Sequence, residues 1–304
     1  MDLLTASLPT PLQEISDDII KNARIRLFVK RDDLIHPLVS GNKWRKLKYN
    51  LLAARQTNSR AILTFGGVFS NHLFAVAAAG RILGLSTIGI VRGEEHTIRE
   101  VSPTLAFCRE QGMVLQFVSR QEYRQRSEAE YLRDVSKKWD EPFIIPEGGT
   151  SPLALKGVNE MVMEVSAQLG HSPDYYAVAA GTGGTSAGIL SVHEKVIAFS
   201  ALKGGDFLRD DILALAGNSV YPEKLILQTG YHFGGYGKWK PELITFINTF
   251  KQKHGIQLEQ VYTGKMFFGL YELILQHYFV PGTTIVAVHT GGLQGLLPEF
   301  TVLS

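Results

Sequence analysis

The chain has 304 residues, room for two or three domains or one large α/β unit. With 45% hydrophobic and 20% charged residues it is composed like a globular enzyme, and 31 basic against 29 acidic residues, a net of +2, give no overall case for a nucleic-acid or anionic-membrane partner. One cysteine, Cys108, excludes an intrachain disulfide and a cysteine zinc cluster and fits a reducing cytoplasm, as does a start without the basic-then-apolar pattern of a secretion signal.

In chain order, the pattern predicts a strand over 25–29, a helix over 43–55 with Leu47, Leu51 and Leu52 on one face, and a strand over 61–65. A helix over 71–83 and a strand over 87–91 follow. Residues 73–91 are apolar enough to suggest a membrane span, but Arg81, Gly80 and Gly84 make a buried helix, a glycine stop and a buried strand the better reading. Next come a helix over 104–111, a strand over 114–118, a charged helix over 121–138 and a short strand over 143–145. The second half reads as a helix over 155–169, a strand over 175–179, a helix from Thr185 and a strand over 195–199. The last elements are a strand over 225–228, a helix over 241–254, a helix from Lys265 and a strand over 284–289. Strand–helix alternation argues for βαβ units, and apolar runs that are continuous rather than alternating argue for parallel strands buried on both faces, in more than one sheet. Ligands of such sheets bind beyond the carboxyl ends of the strands, so the turns that follow strands are the candidate sites.

Four regions qualify. The first is Ser40-Gly41-Asn42-Lys43-Trp44-Arg45-Lys46, at a helix start where a lysine opposes the helix dipole. It reads either as a solvated basic face or as a lysine whose pKa, lowered by neighbouring cations and partial burial, frees the amine to form a Schiff base. The second is Gly66-Gly67-Val68-Phe69-Ser70-Asn71-His72, a helix start in which Ser70 or Asn71 caps, or the free N–H groups take a carboxylate. His72 has no second histidine at ligand spacing and no metal is expected. The third, Ala180-Gly181-Thr182-Gly183-Gly184-Thr185, suits a phosphate or a dinucleotide. However, the strand over 195–199 ends in Ser200-Ala201, without the acid that holds a ribose. The fourth comprises Phe233-Gly234-Gly235-Tyr236-Gly237, Val261-Tyr262-Thr263-Gly264-Lys265 and His289-Thr290-Gly291-Gly292, where two tyrosines sit in glycine-rich turns.

Together, and in this order, the four regions resemble the pyridoxal-phosphate enzymes that include 1-aminocyclopropane-1-carboxylate deaminase and D-cysteine desulfhydrase, from about Phe28 to the end. The resemblance implies the tryptophan-synthase-β-like fold (type II): two open parallel-sheet α/β domains with pyridoxal 5'-phosphate between them. The large domain would be 1–46 with 153–304, and the small one 47–152. Lys43 would carry the cofactor and act as catalytic base. Lys46 and Gly181, Thr182, Gly183, Gly184 and Thr185 would hold its phosphate, Asn71 its ring hydroxyl, and Thr290 its ring nitrogen. Ser70 with the N–H groups of Asn71 and His72 would take the substrate carboxylate, and Tyr236 and Tyr262 would be the two active-site tyrosines.

Within that family, ring-opening deaminases resemble one another in an acid after the second tyrosine and a leucine in the final H-x-G-G; here these are Thr263 and Thr290. His72 also resembles the desulfhydrases, where deaminases tend to have glutamine. A hydroxyl near the ring nitrogen stabilises a protonated ring less than a carboxylate does, which suits loss of a good leaving group better than opening of a cyclopropane. The expected reaction is therefore β-elimination from a small amino acid of D configuration such as D-cysteine, giving pyruvate, ammonia and sulfide. The alternatives are ring-opening deamination, a D-serine-type lyase, a nicotinamide oxidoreductase built on 181–185, or a catalytically idle binding protein. A cytoplasmic homodimer is expected from the family.

Overall fold

The computed structural model describes residues 4–93, 102–192 and 194–300. Two sheets dominate it. The smaller one is formed by β3 (Ala61–Gly66), β4 (Ser86–Arg92), β5 (Val114–Val118) and β6 (Phe143–Ile145), in the order β5-β4-β3-β6 and all parallel. The larger one contains β1 (Leu12–Ile15), β2 (Arg26–Lys30), β7 (Tyr175–Ala180), β8 (Val196–Ser200), β9 (Leu225–Gln228) and β10 (Thr284–Val288). Its order is β1-β2-β10-β7-β8-β9, parallel except for the edge pair β1–β2.

The continuous apolar strands have the predicted cause. Along β10, Ile285 and Ala287 enter the core on one face of the sheet, while Val286 and Val288 enter the core on the other. The first core is closed by α1 (Asp18–Ala23), α10 (Pro241–His254) and α11 (Thr263–Leu275). The second is closed by α7 (Pro152–Leu169), α8 (Gly184–Ser191) and α9 (Leu208–Ala216). The small sheet repeats the arrangement. Ile62 and Val91 pack against α2 (Asn42–Gln56), α3 (Asn71–Leu83) and α4 (Pro103–Glu110). Leu63, Phe65, Ile88 and Ile90 pack against α5 (Arg120–Arg124) and α6 (Ala129–Lys138).

Two departures from the sequence reading matter. The helix expected over 121–138 is two helices, because the chain turns at 125–128 and sends Arg126 to Glu147, Nε to Oε2 at 2.6 Å. The short β1, α1 and α9 were not anticipated, and β1 adds an antiparallel edge to a sheet expected to be parallel. The apolar stretch over 73–91 is the rest of α3, a left-handed stop at Gly84 (φ 67°) and β4. No helix among the described residues is long and apolar enough to cross a membrane.

The basic run on α2 is not a solvated face. Arg45 is 1% exposed and forks onto Asp32 (2.9 and 3.1 Å) and Glu164 (2.6 and 2.8 Å), tying α2 to the end of β2 and to α7. Lys30 reaches the same Glu164 at 2.9 Å. Removing one member of such a buried network strands the others' charges. Arg45→Met is therefore expected to cost about 3–5 kcal/mol of unfolding free energy in urea titration; a loss below about 1 kcal/mol would show that the network contributes little.

Candidate active site

A cavity of about 710 Å³ opens where the carboxyl ends of the two sheets face each other. All the site residues expected from sequence line it: Lys43, Lys46, Ser70, Asn71, His72, the 181–185 loop, Tyr236, Tyr262 and Thr290.

Lys43 is the second residue of α2. The helix start is set by Gly41, whose φ of +64° and lack of a side chain let its backbone lie against Thr290; a Cβ there would be 1.9 Å from the Thr290 carbonyl oxygen. Asn42 locks the arrangement. Its N–H donates to that carbonyl (3.3 Å), its Nδ2 donates to Thr185 Oγ1 (2.9 Å), and its Oδ1 accepts from Lys43 Nζ (3.0 Å). Lys43 is half-buried, and desolvation lowers its ammonium from the usual range to about 8.

One turn further along α2, Lys46 is 2% exposed. Its Nζ donates to Thr150 Oγ1 at 3.0 Å, and Thr150 Oγ1 lies 2.6 Å from Thr182 Oγ1. Among the described residues it has no carboxylate partner, and burial, then Lys43, hold its ammonium well below the usual lysine range. A Cβ on Gly184 would meet Thr150 Oγ1 at 2.9 Å and Lys46 Nζ at 3.0 Å. A buried cation with only a hydroxyl for company, facing the N-terminus of α8 across bare glycine, is a corner built for an anion. Gly183 serves differently. Its φ is +74° and a Cβ would strike Ile212 at 2.5 Å, so its missing side chain faces α9 rather than this corner.

Opposite, Ser70 caps α3 by accepting from Leu73 N at 3.2 Å, leaving the N–H groups of Asn71 and His72 at the helix start unclaimed by the cap. Asn71 accepts from Gln294 Nε2 at 2.9 Å and packs against Gly292. His72 is buried, with Nε2 2.7 Å from Thr64 Oγ1, and Thr64 gives its own proton to the Ile145 carbonyl at 2.7 Å. Nε2 therefore carries a proton and Nδ1 is a buried acceptor with no partner. Burial, with Lys43 and Lys46 nearby, pushes this imidazole well below its usual pKa, and it is neutral.

Tyr262 stacks over Gly181, and its ring meets Tyr236 edge-on at 5.9 Å. Burial raises both hydroxyls, while Tyr262 and Arg92 draw Tyr236 back. Lys265 pins the Tyr236 loop by donating to the His232 (2.9 Å) and Gly235 (2.8 Å) carbonyls. Thr263 departs from expectation. It is fully buried, its hydroxyl donates to Glu259 Oε1 at 3.1 Å, and it does not line the cavity. Glu259, missed from sequence, also takes the N–H groups of Val261 (2.6 Å) and Tyr262 (2.8 Å) at the start of α11. Thr150 and Glu147 were missed as well, although Glu147-Gly148-Gly149-Thr150 is a glycine-rich turn directly after a strand, the very signal used for the other turns.

A bifunctional mitochondrial D-cysteine desulfhydrase/1-aminocyclopropane-1-carboxylate deaminase of Arabidopsis thaliana is 31% identical, over 96% of this chain and 78% of its own. A D-cysteine desulfhydrase of Klebsiella pneumoniae is 28% identical, over 95% and 93%. The crystal structure of an ACC deaminase homologue superposes with a TM-score of 0.81 at 30% identity, over 97% of this chain and 92% of that one. The pyridoxal-phosphate dependent enzyme family matches residues 3–291. A lysine beside a corner suited to an anion, on a fold shared over nearly its whole length, accords with that match: the chain belongs to the pyridoxal-phosphate dependent enzymes.

Proposed function

We propose that this protein is a lyase that eliminates the β-substituent of a small amino acid, with D-cysteine as the leading substrate: D-cysteine and water give pyruvate, ammonia and hydrogen sulfide. The observation that carries the reading is Lys43, a half-buried amine of lowered pKa set between the phosphate corner and the free N–H groups of α3. The residues fit pyridoxal phosphate. Lys46, Thr150, Thr182 and the bare Gly184 suit its phosphate, Lys43 its aldehyde, Asn71 its hydroxyl and Thr290 its ring nitrogen. Bound there, it supplies the electron sink for the α-carbon.

The chain's own groups do the rest. The N–H groups of Asn71 and His72, with Ser70 Oγ, hold the substrate carboxylate at the positive end of α3. Lys43 Nζ removes the α-proton. Tyr236 and Tyr262 hold protons at their Oη atoms on the substrate side. Ring opening is the second reading, favoured by the name of the bifunctional relative. Elimination ranks first because the carboxylates that line the cavity among the described residues are Glu147 and Asp211, whereas Glu259 is committed to the start of α11.

The loaded enzyme, given a panel of L- and D-amino acids and scored for pyruvate and sulfide, is expected to favour D-cysteine over the cyclopropane substrate by at least about tenfold in kcat/KM. Faster ring opening than sulfide release, or pyruvate from no amino acid, overturns the reading. The lowered pKa makes a separate prediction. Condensation of added pyridoxal phosphate with the apoprotein, followed by visible absorbance, needs the neutral amine. With Lys43 at about 8, the rate should rise about tenfold from pH 7 to 9 and level off, where an ordinary lysine gives about a hundredfold rise and no plateau.

The reading extends to a cytoplasmic homodimer, with 47–152 as the small domain carrying its own sheet and 1–46 with 153–304 as the large one. The buried free thiol of Cys108 suits a reducing compartment, and sedimentation of the purified chain tests the dimer.

A further inference from the structure

The small sheet gives the cavity a wall that the elimination chemistry leaves unused. Arg92 closes β4, Arg126 follows α5, and Glu147 follows β6; all three line the cavity. Both oxygens of Glu147 are taken, Oε1 by the Tyr123 hydroxyl (2.9 Å) and Oε2 by Arg126 Nε (2.6 Å). Both guanidiniums lie over the Tyr123 ring, Arg92 at 5.7 Å and Arg126 at 5.0 Å from its centre. Arg126 thus has its counter-charge. Arg92, among the described residues, has no hydrogen bond and no ion pair, so all its N–H donors are open.

Its position is specific. Arg92 Nη2 lies 3.5 Å from where a Cβ on Gly67 would be, over the turn that leads to Ser70. The Tyr236 hydroxyl donates to Phe69 O of the same turn at 3.4 Å. The wall holds two guanidiniums against one carboxylate. The other carboxylate lining the cavity, Asp211, belongs to α9, which borders the phosphate corner at Gly183.

We infer that Arg92 determines specificity by receiving a carboxylate carried on the substrate's side chain. The α-carboxylate has its own place at the start of α3, so an anion at Arg92 is a second one. The inference rests on the elimination reading and adds a further substrate class to it: β-substituted alanines whose leaving group ends in a carboxylate. The α-proton goes to Lys43, and its electron pair forms the Cα–Cβ double bond. The Cβ–S bond breaks with its pair on sulfur, which takes up a proton. Hydrolysis of the remaining C–N bond yields pyruvate and ammonia, with no oxidant or reductant. A guanidinium fork donates to both carboxylate oxygens, whereas an amide of the same size offers one accepting oxygen and presents an N–H face.

The test compares S-carboxymethyl-D-cysteine with S-carbamoylmethyl-D-cysteine, matched in size and differing in charge. A binding arm compares D-glutamate with D-glutamine, which carry no β-leaving group, by the visible absorbance of the loaded enzyme. The acid is expected to exceed the amide by at least about tenfold in kcat/KM and in affinity. Arg92→Gln should bring both ratios to about one, and Arg92→Lys should keep roughly a third of the preference. An unmodified enzyme that prefers the amide, a ratio that Arg92→Gln leaves alone, or an equal loss for both partners overturns the inference. The two readings fail separately. An Arg92-dependent preference for D-glutamate with no pyruvate from any cysteine derivative removes the elimination reading and keeps this one. Sulfide from D-cysteine with acid-to-amide ratios of one does the reverse.

Discussion

Replacing Lys43 by alanine is expected to lower pyruvate release by at least about 10³-fold, because one side chain is asked both to carry the cofactor and to move the α-proton. Cofactor should still be retained, since the corner formed by Lys46, Thr150, Thr182 and Gly184 is untouched. Borohydride reduction followed by peptide mapping should find the pyridoxyl group on Lys43. A lowered pKa does not by itself single out this lysine, because burial brings Lys265 to about 8 as well. What separates them is their partners: Lys265 is tied to two backbone carbonyls and Lys46 to Thr150, whereas among the described residues Lys43 is held only by the adjacent Asn42. Label on Lys46 or Lys265 would reject the assignment.

Lys46→Met should move two quantities in opposite directions. Affinity for pyridoxal phosphate, by equilibrium dialysis, should fall about 10–100-fold with the loss of a charge-assisted contact in a dry corner. The apoprotein should gain in Tm, because a buried ammonium with one hydroxyl partner is a cost to the fold until an anion arrives. The sign follows from the lowered pKa: the cost is present at pH values below the folded-state pKa, so it operates where Lys46 is protonated and fades as the pH rises past that point. Gly184→Val should share the loss of affinity by filling the corner. Gly183→Val should instead damage the fold, through its left-handed backbone and Ile212. A Lys46→Met protein that binds the cofactor normally would mean that the anion sits elsewhere.

The fold was legible because both sheets are buried on two faces, which writes each central strand as an unbroken apolar run such as Thr284-Ile285-Val286-Ala287-Val288. Residues that act at a strand's carboxyl end were legible for the same reason: the strand points at them. What escaped had no local period to reveal it. β1 is four residues, Leu-Gln-Glu-Ile, held at the edge by pairing with β2 rather than by its own pattern. Asn42 joins Lys43 to Thr185 across 143 positions, a relation that no window of sequence contains. Thr263 was expected near the ring nitrogen because it stands where the deaminases have an acid, yet Glu259, on the preceding turn, claims its hydroxyl. Arg92 reads as an ordinary strand end, and only the turn at 125–128, which gives Glu147 to Arg126, leaves it unmatched.

β10 has a consequence for the order in which the molecule comes into being. It lies between β2 and β7, although it is the last of the strands to be synthesised. Until the ribosome has released it, β2 and β7 have no common neighbour, and the carbonyl of Thr290 that receives Asn42 does not exist. The small sheet, complete by Ile145, can form while the chain is still growing. Lys43 and Asn42 reach their observed setting only once Thr290 has been made. A chain interrupted before β10 leaves Asn42 without the carbonyl that fixes it.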